Sequence, residues 1–443
     1  MFYKSVFIFK VTMSFKNLNL SKPVMRAIED LGFEKPTPIQ SNCIPLVLDG
    51  KDVVGRSLTG SGKTAAFILP LLNMVEESKG QQVIVLAPVR ELAHQVKDAF
   101  DEFSKHTKLS AVAVYGGVSL EPQVKALRKS EFIIATPGRL LDHMQRGNID
   151  TKNIKHFVLD EADKMFDMGF IDDIKKIITQ LPKSKQTLLF SATMPSQVKK
   201  LVSKYLTNPE IIEEEAHVDK GKLTQVYYDV KQNQKFALLV HLLKHKTDGL
   251  AIVFCSRRNE VDVVGKNLKK QNISAMAIHG GLTQNRRSKA LGQLKDGKID
   301  VLVATEVAAR GLDVKNISSV INYDSATNPQ EYTHRIGRTA RAGTEGIAIT
   351  LLTPRDHEAF SSVMADSQIN IEKRQVPELE KVEFTRNSYT KKGDRGNNSR
   401  GSGNRYGGRG RNSNQGSGRG SSGGRGNGRG SNRARSQKKD WAS

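Results

Sequence analysis

Short runs of β-branched and aliphatic residues alternate along this chain with longer stretches whose apolar positions recur every three to four residues, and the alternation runs twice. The first set of runs covers 52–55, 83–87, 111–115, 132–135, 157–160 and 187–190. The second covers 250–255, 275–278, 300–304, 319–323 and 346–352. Runs this short and this continuously apolar predict strands buried on both faces, as in parallel sheets. Helical patterns between them predict βαβ units with right-handed crossovers, hence two doubly wound α/β domains. Between the sets, residues 207–222 hold Asn208-Pro209 and a Glu-rich segment with little apolar content, which reads as a linker. The predicted organisation is an extra N-terminal arm (1–13), a first domain (14–206), the linker (207–222), a second domain (223–375) and a tail (376–443). Met13-Ser14-Phe15 reads as a more natural start than Met1, because the apolar opening before it fits no core element.

Composition sharpens this picture at the C-terminal end. From about Arg386 onward Gly, Ser, Asn and Arg dominate and aliphatic residues nearly vanish, so the segment cannot bury enough surface to fold and predicts a disordered tail. Residues 386–443 carry fifteen Lys or Arg against Asp394 and Asp440, a net of +13 out of +23 for all 443 residues. Six Arg-Gly steps with Tyr389, Tyr406 and Trp441 suit phosphate contacts and base stacking on single strands, although a solubilising spacer would share the composition. A sequence pI near 9.8 favours a polyanionic partner, and nucleic acid is the first expectation. The two cysteines, Cys43 and Cys255, stand far apart in apolar contexts, which argues against a zinc site or a disulfide framework and for a reducing cytoplasm. No apolar run approaches the ~18 residues that span a membrane, so a soluble protein without a membrane partner is expected.

Two constellations carry chemistry. Gly60-Ser61-Gly62-Lys63-Thr64 supplies a flexible loop, a cation and a hydroxyl, with Ser57 at the small-residue position that opens such loops. Lys63 would reach the β- and γ-phosphates of ATP, Thr64 would ligate Mg2+, and loop amides at a helix N-terminus would hold phosphate oxygens. About a hundred residues on, an apolar run breaks into Asp160-Glu161-Ala162-Asp163. Asp160 would hold the metal and Glu161 would orient or deprotonate the attacking water, while Asp163 reads equally as a helix cap. Together the two predict an ATPase.

Over residues 14–375 the chain resembles the DEAD-box RNA helicases of superfamily 2, and its Met-Ser-Phe opening is most similar to the prokaryotic RhlE-like group. The tetrad 160–163 is the name-giving motif. The resemblance implies two tandem RecA-like domains and an enzyme that couples ATP hydrolysis to RNA unwinding. Phe15 precedes Gly32-Phe33-Glu34-Lys35-Pro36-Thr37-Pro38-Ile39-Gln40, similar to the family's adenine-reading segment. By that similarity Phe15, Phe33, Lys35 and Gln40 serve the nucleotide. Gln40 would bond the adenine edge bidentately, since an amide offers one donor and one acceptor, and Phe33 would stack on the ring. Pro88-Val89-Arg90-Glu91-Leu92-Ala93, Gly116-Gly117 and Thr136-Pro137-Gly138-Arg139 resemble segments that grip RNA backbone through Pro88, Arg90, Gly117, Thr136 and Arg139.

Ser191-Ala192-Thr193 resembles the motif that couples hydrolysis to strand separation; standing alone it would read as turn or cap residues. In the second domain Arg257, Gln284, Arg287 and Thr305 resemble RNA contacts, and Asp313 would reach the ribose. His334-Arg335-Ile336-Gly337-Arg338-Thr339-Ala340-Arg341 resembles the last family motif, with His334 coupling and Arg338 and Arg341 placed three apart on an expected helix, aimed at the γ-phosphate. Three residues depart from the pattern: Ser57 for Ala, Val89 for Thr and Glu306 for Asp. The expected partner is structured or duplex RNA read largely without sequence preference, with ribosomal precursors or degradation machinery as further expected partners and ribosome assembly or cold-shock RNA turnover as settings. An ATP-gated RNA clamp and a tail-driven RNA chaperone are the alternative readings.

Overall fold

A computed structural model describes residues 14–57, 60–214, 223–245, 249–309, 317–340, 345–366 and 369–386. The expected N-terminal arm, most of the linker, the tail from 387 onward, and Asp313 and Arg341 lie outside the described residues.

Two seven-stranded parallel sheets form. The first comprises β1 (Val53–Arg56), β2 (Val83–Leu86), β3 (Ala111–Val114), β4 (Phe132–Ala135), β5 (His156–Leu159), β6 (Gln186–Ser191) and β7 (Glu210–Glu213) in the order β3-β4-β2-β5-β6-β1-β7. The second comprises β8 (Leu223–Asp229), β9 (Leu250–Phe254), β10 (Ala275–Ile278), β11 (Val301–Ala304), β12 (Ile317–Asn322), β13 (Gly346–Leu352) and β14 (Glu372–Arg374) in the order β10-β11-β9-β12-β13-β8-β14. Adding seven to each strand number of the first sheet reproduces the second, so the two lobes share one topology. Both are the RecA-like, doubly wound fold expected from the alternation.

Period-two alternation splits each central strand between two cores. Val83 and Val85 of β2 join Val158 and Phe190 on one face, while Ile84 and Leu86 join Phe157, Leu159 and Leu189 on the other. The second lobe repeats this with Ala251 and Val253 opposite Ile252 and Phe254 of β9. Helices cover both faces, which is why these strands read as unbroken apolar runs.

One strand shifts a boundary, β7, while β8 and β14 lie inside the expected second domain as strands that its apolar runs do not mark. β7 pairs with β1 in the register Val53↔Glu210 to Arg56↔Glu213, so the segment expected to begin the linker instead closes the edge of the first sheet. Only Ile212 of β7 is fully buried, and a half-buried edge strand leaves little apolar signal. β8 alternates polar and apolar residues, and β14 is Glu-Lys-Arg, held to β8 through main-chain pairing. Residues 376–386, expected in the tail, run on along the second lobe. Val376, Leu379, Val382 and Phe384 pack on its core, Phe384 lies 4.6 Å from Phe236 between ring centroids, and the Thr385 backbone exchanges bonds with the Asn267 side chain at 3.0 and 3.1 Å.

Candidate nucleotide and RNA site

The carboxyl ends of β1, β5 and β6 converge on the phosphate loop. Gly62 has φ +93° and leads into the helix Lys63–Met74; a Cβ there would strike the Gln40 amide, so this position requires glycine. Gln40 is the third residue of the helix Pro38–Leu48 and completes a capping box with Thr37. Its Oε1 accepts from the Thr37 amide at 3.0 Å and its Nε2 donates to the Gly62 carbonyl at 3.1 Å. The cap thus explains a glutamine at 40, and each end of the amide keeps one further bond for a purine edge. Lys63 is buried and donates to the Ser57 carbonyl at 2.6 Å. The Ser57 hydroxyl bonds Ser61 and donates to Glu214 Oε2 at 2.7 Å.

Asp160 and Glu161 leave β5 into the pocket, and Glu161 takes the left-handed conformation at φ +52°, a strained choice for a residue with a side chain. Burial, then the neighbouring Glu161, push the Asp160 carboxyl up to about 7 against the pull of Lys63 and Lys164. Its Oδ1 is buried without a hydrogen-bond partner. A buried, raised carboxylate with a bare oxygen is the environment a divalent cation relieves, and Thr64 at the first turn of the neighbouring helix supplies a hydroxyl. Among the described residues no cluster of three or more His, Cys, Asp or Glu could hold a metal alone, which suits Mg2+ shared with phosphates and water. Burial raises Glu161, but Lys164, Arg338 and Lys63 outweigh it and hold this carboxyl below its ordinary value. Asp163 stands one residue inside the helix whose N-cap is Glu161: its Oδ1 accepts from the first-turn Lys164 amide at 3.0 Å, its Oδ2 accepts from both the amide and the hydroxyl of Thr193 at 2.9 Å, and its own amide donates to Ser191 Oγ at 3.2 Å.

Two contacts join the lobes here, and one electrostatic influence crosses between them. Arg338 lowers Glu161 electrostatically, Gln330 Nε2 donates to Thr193 Oγ1 at 3.0 Å, and Arg287 pairs with Glu91 at 3.0 Å with both side chains largely buried. Arg338 does not stand on a helix as expected, because the helix Pro329–Ile336 ends at Gly337 and Arg338 follows in a turn. Its neighbour Arg335 is buried as well, pairing with Glu331 and Glu306, donating to the Asp324 carbonyl at 2.7 Å and lying over the Phe254 ring. His334 is half-buried on the same helix.

A second group gathers at the ends of β2, β3 and β4. The Arg90 guanidinium lies against Gly117, whose φ of +81° and missing side chain let it approach, and Arg139 donates to the Val118 carbonyl at 3.3 Å. Thr136 stands at the N-cap position of the helix Pro137–Gln145 without a side-chain capping bond, and Pro88, after β2, is buried. In the second lobe Arg257 is exposed at the start of the helix Arg258–Lys270, Thr305 follows β11, and the side chain of Gln284 lies outside the described set. Two placements differ from expectation. Phe15 sits in the first lobe's core rather than at a nucleotide surface, because its apolar ring is more stable there. Arg287 is spent on Glu91 across the lobe boundary. Phe33 remains 49% exposed beside Phe103, and Lys35 is exposed.

The DEAD/DEAH box helicase family profile matches residues 37–201, and the helicase conserved C-terminal domain profile matches 234–343. The DEAD-box ATP-dependent RNA helicase CshA of Bacillus subtilis is 42% identical over 375 residues, 84% of this chain and 76% of that protein. The chain belongs to the DEAD-box RNA helicase family. Among solved structures, S. cerevisiae Dbp5 bound to RNA and ADP BeF3 is 33% identical with a TM-score of 0.75, over 82% of this chain and 96% of that one. A DEAD-box protein from Methanococcus jannaschii is 41% identical with a TM-score of 0.51, over 82% and 100%. The Bacillus subtilis relative is a CshA helicase, and the RhlE-like assignment finds no specific support in that likeness.

The departures from the DEAD-box pattern have physical descriptions. Ser57 adds a hydroxyl link from the phosphate loop to Glu214; Val89 is buried where the helix Arg90–Phe103 begins; Glu306 pairs with Arg335 within its own lobe. Residues that motif reading passed over are Glu91, Gln330, Arg335 and Lys164. Glu91, Arg335 and Lys164 are charged groups inside otherwise buried elements, and exposed Gln330 gains its role only from the facing lobe.

Proposed function

We propose that this DEAD-box chain hydrolyses ATP in a pocket completed by closure of the two lobes, and uses that closure to separate RNA strands locally. The observation that carries the reading is Glu161 of the first lobe standing in the field of Arg338 of the second, beside Lys63 and Asp160. Lys63, Ser61 and the Gly62 amide hold phosphates, Gln40 and Phe33 address the base, and Asp313 addresses the ribose. Thr64 and Asp160 hold Mg2+, which when bound neutralises phosphate charge. Glu161 takes the proton of the attacking water, and Arg338 with Arg341 stabilises the charge of the transition state.

RNA backbone lies along Arg90, Gly117, Thr136 and Arg139 in the first lobe and Arg257, Gln284 and Thr305 in the second. These groups address phosphates and sugars, so readout is largely independent of sequence. Ser191 and Thr193, through Asp163 and Gln330, connect the acid motif to the second lobe, and His334 acts from the facing helix. Because ATP and RNA each contact both lobes, each favours closure and so the other's binding. The basic tail adds RNA affinity, and the setting is the cytoplasm, with ribosomal precursors or RNA turnover as substrates. Among the described residues no helix is long and apolar enough to cross a membrane.

The test is steady-state ATPase with and without RNA, alongside displacement of a labelled RNA strand, for the wild-type chain and Glu161→Gln. RNA-stimulated hydrolysis and unwinding, both lost in the variant, support the reading. ATP binding without stimulated hydrolysis would make the chain an ATP-gated clamp.

A further inference from the structure

The proposed catalytic machinery gives no task to a buried cation that bonds directly to it. Lys164 is 1% exposed, and its Nζ donates to Glu161 Oε1 at 2.6 Å from one turn along the helix Ala162–Asp167. Glu161 Oε2 is equally buried and has no hydrogen-bond partner. One carboxylate oxygen is therefore clamped and the other bare. Glu161 holds this contact from the left-handed N-cap position of the same helix, at φ +52°.

We infer that Lys164 is a positioning residue for hydrolysis, fixing Glu161 so that Oε2 receives the water proton. This inference rests on the ATPase reading above. In the step itself the water oxygen bonds to the γ-phosphorus and the bond from that phosphorus to the β,γ-bridging oxygen breaks. The bridging oxygen keeps the electron pair, giving ADP and inorganic phosphate, while the water proton passes to Oε2 and later to solvent. Lys164 touches none of the reacting atoms. A buried cation in this role also offsets the cost of keeping Glu161 ionised in a pocket shared with Asp160.

The full-length chain is assayed as wild type, Lys164→Met and Lys164→Arg under saturating RNA, with ADP affinity followed by a fluorescent ADP analogue. Lys164→Met is expected to lower kcat roughly 10- to 100-fold, the range of a misplaced general base, with KM for ATP and ADP affinity within about twofold. Lys164→Arg should recover most of the rate. In a Glu161→Gln background Lys164→Met should change kcat less than about twofold, since the two act as one unit. Should Lys164→Met fail to fold, Lys164→Gln carries the same measurements. Wild-type kcat in the neutral variant, or a loss undiminished in the Glu161→Gln background, overturns the inference while leaving the helicase reading intact. A wild-type chain without RNA-stimulated hydrolysis would overturn both.

Discussion

The two lobes place a buried lysine at the same point of the same topology and use it differently. In the first, Lys63 opens the helix after β1; in the second, Lys235 opens the helix after β8. Asp160 follows β5, and Asp324 lies two residues beyond the equivalent β12. Lys63 stands behind a loop of small residues with Asp160 left partly unbonded. Lys235 instead lies 4.9 Å from the Tyr323 ring centroid and 3.5 Å from both Asp324 and Asp356, after Lys231-Gln232-Asn233-Gln234, which contains no glycine. The second lobe thus has the fold and the charges of a phosphate site, but its cation is already paired and the turn before it lacks the glycines of a phosphate loop. Fold supplies the place, and loop chemistry decides whether a ligand can use it.

The sharpest way to break this comparison is to remove each lysine. Lys63→Ala should lower RNA-stimulated ATP hydrolysis at least about 100-fold, as loss of a preorganised phosphate contact does, read by phosphate release. Lys235→Met should leave ATP affinity unchanged yet cost about 2 kcal/mol in a urea melt, because Asp324 and Asp356 lose their partner. Loss of ATP binding in that variant would mean the second lobe holds nucleotide after all. A smaller effect is expected at the lobe boundary. Glu91→Gln should weaken RNA-stimulated turnover by about tenfold while sparing basal ATP binding, and adding Arg287→Ala should cost little more, since the pair is one interaction.

The smallest effect concerns acid. Burial lowers the His156 pKa, so the folded first lobe holds this imidazole neutral, bonded to Gln186 at 2.9 Å. Its contribution is fully present above the ordinary histidine value of about 6.5 and is lost as pH falls through the lower folded value. The melting temperature should therefore decline between pH 7.5 and 5.5, and His156→Gln should flatten that decline.

What the sequence made legible divides along the same lines. Gly62, Lys63, Asp160 and Glu161 stood out because their chemistry needs those residue types at short spacing, and the central strands stood out because both faces are buried. β7 and β14 did not, since an edge strand is held by main-chain pairing that any side chain permits, and β8 did not because its alternating polar residues break the apolar run. The expected helical placement of Arg338 failed because Gly337 terminates the helix one residue before it. The Gln40 cap and the Lys164 clamp were hidden for another reason: each is a contact between local conformations, and a left-handed Glu161 cannot be read from its neighbours' identities. Arg287 shows a third limit, for a cation suited to phosphate suits a carboxylate equally well until the opposing lobe is in view.

The path of residues 376–386 bears on how any shortened form should be made. A protein ended at 375 would lack the layer over Phe236 and the Thr385 clasp on Asn267, leaving greasy surface open to water. Its poor behaviour with RNA would then report a damaged lobe rather than a missing basic extension. Ending the chain at 386 instead keeps that layer whole, so only there does subtraction measure what the Arg-Gly repeats contribute.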